Sequence, residues 1–115
     1  ITHDDIQGML KNNLEVISCG ANHPFKESEY CYGKCSQDFD NKLAILPDFL
    51  SNMGIARTFF AMMSNPTEVI TPEFIFNDID TTIQNAVNQA YANHNGKLMT
   101  ASLYEIALNN INNTI

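Results

Sequence analysis

Residues 19 to 35 read CGANHPFKESEYCYGKC and hold all three cysteines of the chain together with one of its three histidines. Two chemistries suit such a cluster. The first is a disulfide. If Cys19 ends one helix, and Cys31 and Cys35 lie one turn apart on the inner face of the next, antiparallel packing brings the thiols level across the loop. Cys31 is then the expected partner of Cys19, with Cys35 as the alternative. Closing a loop of this size stabilises a chain by about 3 kcal/mol. The remaining thiol is expected to pack as a small apolar side chain. The second chemistry is zinc. Cys19, His23, Cys31 and Cys35 supply three thiolates and an imidazole, the closed ligand set of a structural site, although the familiar two-residue knuckle is missing. Three free thiols are the third alternative. The disulfide is preferred, so neither metal nor cofactor is expected. A nucleophilic cysteine needs an adjacent base, and the sequence places none of His3, His23 and His94 beside one.

Other candidate groups are weaker. His3, Asp4 and Asp5 are metal-ligand types, but consecutive helical residues diverge, and a capping turn explains them. Asp78 and Asp80 diverge likewise, so no acid–base pair is identifiable. No GxSxG, HExxH, P-loop or CxxC pattern occurs, and a non-enzyme is expected. Lys26, Lys34, Lys42 and Arg57 are candidates for a small cationic pocket that takes a phosphate or lipid headgroup. Glu27, Glu29, Asp38 and Asp40 are interleaved with them, which favours a solvated mixed-charge face. Phe59, Phe60, Met62 and Met63 are candidates for lining an apolar-ligand pocket, with ordinary core as the simpler reading. Asn112-x-Thr114 is a glycosylation sequon that matters only in a secreting eukaryote.

The elements that must position these groups look helical. Thr2 caps a first helix with Asp4 and Asp5 in its first turn. Ile6, Met9, Leu10, Leu14, Val16 and Ile17 continue it at helical spacing, and Gly20 stops it. Ser28 is a candidate cap for a second helix. Its stripe runs through Cys31, Cys35, Phe39, Leu43, Leu46, Leu50 and Met53, with a kink or restart at Pro47. Residues 55–63, IARTFFAMM, are apolar nearly all round, the pattern of a central buried helix. Thr71-Pro72-Glu73 starts a helix that Asn95-Gly96 ends. Thr100 is the expected cap of the last. The one strand candidate is the short stretch 67–71. These features predict an all-α fold, a four- to five-helix bundle forming a single domain over residues 1–115.

Composition sets outer limits. The net charge is −7 with only six basic residues. Duplex binding needs clustered cations to release counterions, so nucleic acid is not an expected partner. General adhesion to anionic membranes is disfavoured, although one local pocket for a headgroup is compatible. No apolar run is long enough for a transmembrane helix. The chain starts at Ile1 rather than Met, and removal of a secretory signal would account for this and would suit a disulfide. A secreted, extracellular location is therefore expected.

The amide-rich, Ile-rich character, with runs such as NN at 12–13 and NNINN at 109–113, resembles the small secreted effectors of intracellular bacteria such as Legionella, including those exported by type II secretion. The likeness is one of overall style, and no functional residue is carried over. It implies an exported, host-directed virulence factor without enzymatic activity, acting by binding a host protein or an anionic membrane lipid such as a phosphoinositide.

Overall fold

A computed structural model describes residues 1–27, 32–64 and 70–112 of the chain. The first helix, α1 (His3–Lys11), begins as its cap residues require. The Thr2 hydroxyl accepts from the Asp5 N–H, and the Asp5 carboxylate accepts from the Thr2 N–H. This capping box satisfies two donors that a helix start leaves orphaned. The helix stops nine residues later rather than continuing to Gly20. Asn13 sits in the left-handed region at φ 59°, a conformation that asparagine tolerates. The chain then extends into a strand, β1 (Val16–Ser18).

The all-α expectation is therefore wrong. Among the described residues six helices accompany a two-stranded parallel sheet. The partner strand, β2 (Ala44–Leu46), pairs Val16 with Ala44, Ile17 with Ile45 and Ser18 with Leu46. The long second helix is likewise replaced by shorter pieces: α2 (Lys34–Phe39), β2, and α3 (Asp48–Ser51) starting just after Pro47. The apolar run around β2 serves a buried strand, whose alternating side chains feed two cores. Ile45 enters one with Ile6, Ile17, Phe25 and Phe39. Ala44 and Leu46 face the other, with Leu50, Ala90, Met99 and Leu103. Period-two alternation is what lets three residues serve both sides.

The expected disulfide is also overturned. Cys19 and Cys35 are both free, buried thiols. Cys19 follows a strand, and its N–H donates to the Leu46 carbonyl. Cys35 sits in a helix of only six residues. The two-helix hairpin that would level the cysteines does not exist. Cys31 and the Ser28 cap lie outside the described residues, as do residues 67–69 of the strand candidate and Thr114 of the sequon.

The remaining helices are α4 (Gly54–Ser64), α5 (Pro72–His94) and α6 (Met99–Asn112). Thr71 caps α5 by accepting from the Phe74 N–H, proline occupies its first turn, and Asn95 ends it in the left-handed region. Both ends of α5 agree with expectation. The start of α6 does not, because Thr100 turns away and donates to the Ile45 carbonyl. The cap comes instead from Asp40, which is fully buried. Its carboxylate accepts from the Thr100 N–H at 2.9 Å and the Ala101 N–H at 3.0 Å, and its carbonyl accepts from the Leu98 N–H at 2.7 Å. A negative charge at a helix N-terminus meets both the orphan donors and the positive end of the dipole.

The molecule is elongated, with extents of 51 × 27 × 27 Å and a radius of gyration of 15.7 Å, where a compact chain of this length would have about 13 Å. The longest element is α5, whose 23 residues span about 35 Å. Its second half, with Ile83, Ala86, Val87 and Ala90, packs into the second core against α6. Its first half carries α4. No helix of the described residues is long and apolar enough to cross a membrane.

Asp40→Ala strips α6 of its cap and leaves buried N–H groups unpaired. It is expected to lower unfolding free energy by about 3 kcal/mol. Urea denaturation followed by circular dichroism measures this, and a variant as stable as wild type would remove Asp40 from its role.

Candidate functional site

Helix α4 is assembled with its polar side inward. Gly54 starts it against Ile79 of α5, where a Cβ on the glycine would lie 3.8 Å from the Ile79 Cδ1. One turn on, the Arg57 guanidinium grips the Asp78 carboxylate with two bonds, Nε–H to Oδ2 at 2.6 Å and Nη2–H to Oδ1 at 2.9 Å. Thr58 returns its hydroxyl proton to the Gly54 carbonyl. Ala61 is the buried residue of the helix. These four positions form the inner edge, held by a fork-to-fork ion pair and one methyl group.

The outer side is apolar without interruption. The exposed residues between positions 55 and 63 are Ile55, Ala56, Phe59, Phe60, Met62 and Met63. Ile55, Phe59, Met62 and Met63 share one stripe at i, i+4, i+7 and i+8, with Ala56 and Phe60 beside it. Met63 is 81 % exposed, Ile55 75 % and Phe59 61 %, values that would be ordinary for lysines. Phe74 and Phe76, near the start of α5, are exposed as well. A helix apolar all round is expected to be buried, and here that expectation fails. Among the described residues, the side chains of this outer side stay open to solvent. Apolar patches of this extent on a folded chain mark interaction sites.

The other candidate residues are scattered. Lys34 pairs with Asp38 on its own helix at 2.9 Å. Lys42 lies over the Phe39 ring, 4.9 Å from its centre. Lys26 is exposed in the loop before α2. Arg57 is occupied by Asp78, with the Phe60 ring 5.0 Å from its guanidinium carbon. The four cations line no common cavity. Phe59, Phe60, Met62 and Met63 stand on the outside of the molecule and form no hollow for a small ligand. An apolar groove of about 370 Å³ lies elsewhere, where Phe49 faces Tyr104, Ala107, Leu108 and Ile111 of α6.

The cysteine cluster has no reactive geometry among the described residues. Cys19 lines a small, partly open cavity of about 30 Å³ that His23, Glu27 and Asp48 also border. Burial pushes its thiol up to about 11, and the Asp48 charge adds to the effect. Burial and the Glu27 carboxylate push Cys35 up as well. A nucleophilic cysteine needs the opposite shift. Among the described residues no group of three His, Cys, Asp or Glu side chains could hold a metal. The zinc set includes Cys31, outside those residues. His3 lies 3.5 Å from Asp38 and packs its ring at a tilt against Phe39, centroids 4.5 Å apart, which anchors α1 to α2.

The chain matches no known protein family, no curated protein and no solved structure.

Two outcomes are expected. The Arg57 hydrogen bonds, helped by its charge, hold Asp78 below the usual carboxylate range. A depressed folded-state pKa stabilises above the unfolded value of about 3.9 and is lost as pH falls through the folded value. Urea denaturation from about pH 5 to 2 should therefore show a smaller acid loss for Arg57→Gln than for wild type; equal losses would mean the pair contributes nothing. Iodoacetamide at about pH 7.5 should leave Cys19 and Cys35 unlabelled until the protein is unfolded. Peptide mass mapping that found rapid native labelling of Cys19 would contradict its burial.

Proposed function

We propose that this protein acts by binding rather than by catalysis, and that the outward face of α4 docks on another protein surface. The supporting observation is that every exposed side chain from Ile55 to Met63 is apolar while Arg57 and Thr58 turn inward. The chemistry of the face favours a protein over a lipid bilayer. Interfacial membrane helices carry Lys and Arg on their polar side and draw on anionic lipid. The one cation of α4 is neutralised by Asp78, and the chain carries a net charge of −7. A desolvated, uncharged protein surface is the complement such a face requires.

The resemblance to exported bacterial effectors supports a host-directed setting, in which the protein works through contacts and needs no cofactor. A phosphoinositide-binding role is the lesser reading. Lys34 and Lys42 are engaged within α2 and its following turn, and Arg57 is engaged on α4.

Benzoylphenylalanine placed at position 60 tests the proposal. Irradiation of the full chain in host-cell lysate should yield discrete protein adducts that Met63→Asp abolishes. The same photoprobe at Asn88, on the exposed polar side of α5, should yield none of them. Adducts with lipid alone, or an identical pattern from both positions, would overturn the reading.

A further inference from the structure

We infer that the protein surface covering α4 is a second copy of this chain, the two α4–α5 hairpins closing into a four-helix bundle about a two-fold axis. This rests on the docking role proposed for α4 and names its partner. Three observations carry it.

The first is self-complementarity. A two-fold interface brings the same patch of both copies together. When two α4 helices cross antiparallel at Phe59, Ile55 of one copy falls beside Met63 of the other, and Ala56 beside Met62. Bulky residues then meet flexible or small ones along the whole stripe, and each Phe59 lies near the axis against its counterpart.

The second is charge. A chain of net charge −7 repels its own copies over most of its surface. The outer stripe of α4 carries no charge, and the charged group of this helix, Arg57, is turned onto Asp78. This face is therefore where two copies can approach without bringing like charges together.

The third is size and shape. The five large side chains of the stripe and its edge expose on the order of 600 Å² of apolar surface, counting about 200 Å² for a fully open one. A specific interface takes about 800 Å² from each partner, which this face approaches. The face belongs to α4, which contributes no side chain to either core, so two copies can meet there without disturbing the packing of either body. Each α4 then gains the second layer that bundles supply to an apolar helix.

Sedimentation equilibrium of the purified full chain tests this. A dimer is expected at micromolar concentration. Phe59→Asp and Met63→Lys change exposed positions and should leave the helical dichroism intact, while weakening dimerisation by at least about tenfold each. Phe59→Cys should give a covalent dimer under mild oxidation, because the axis places position 59 against itself; the same change at Asn88 should not. A wild-type chain that stays monomeric throughout overturns the inference, as does a dimer indifferent to both α4 substitutions. Flotation of the monomer with phosphatidylcholine vesicles, abolished by Phe59→Asp, would assign the face to membrane instead. A monomeric chain that still gives lysate protein adducts from position 60 would sink the second copy but keep the docking face; loss of both results would remove both ideas.

Discussion

The buried carboxylate of Asp40 joins parts of the chain that nothing local would bring together. It lies just after α2, yet it closes the first turn of α6, some sixty residues away, while its own carbonyl takes the Leu98 N–H. Thr100, freed from capping, reaches the Ile45 carbonyl on β2. Tyr32 adds its hydroxyl to the same carboxylate at 3.3 Å. A charge is costly to bury unless its hydrogen bonds are met, and here backbone donors meet them. Once α6 is held in this way, Met99 and Leu103 fall against Leu50 and Ala90, and the second core has its floor. The orientation of α5 follows, since its second half packs on α6. The placement of α4 follows from α5.

A similar device recurs on a smaller scale. The Glu27 carboxylate accepts from the Cys35 N–H at 2.7 Å near the start of α2. It fits because residue 33 is glycine; a Cβ there would collide with that carboxylate. Asp48 accepts from the His23 N–H and from the next residue, Phe49, tying the loop before α2 to α3. The acids of this chain are in good part internal connectors, which explains why charges interleaved with Lys26, Lys34 and Lys42 do not frame a cationic pocket.

What the sequence revealed depended on how far each signal reached. Both ends of α5 were legible because Thr71-Pro72 and Asn95-Gly96 act on their own neighbours. The start of α1 was legible for the same reason. The strands were not. Three residues are too few to display alternation, and Leu14, Val16 and Ile17 happen to continue the helical stripe of α1. Leu43 and Leu46 joined a false stripe with Cys35 and Phe39 in the same way, and the disulfide expectation depended on that stripe. The cap on α6 was beyond reach because its donor set and acceptor are distant in the chain. Residues 55–63 were correctly read as a helix, and their apolar character was plain. Their exposure was not, because burial depends on how many other elements are at hand to cover a face. The inward turn of Arg57 left one trace, a cation flanked by Ala56 and Thr58 that needed an acid on the neighbouring helix.

The separation between α4 and the two cores leaves the outer face of this helix free to diversify. Neither core contains a side chain from α4; the helix is tethered by Arg57, Ala61 and the closeness of Gly54 to Ile79. Residues 55, 59, 62 and 63 can therefore be exchanged for others of different shape while the folded body keeps its margin of stability. A lineage could retune its recognition there in single steps, without compensating changes elsewhere in the chain.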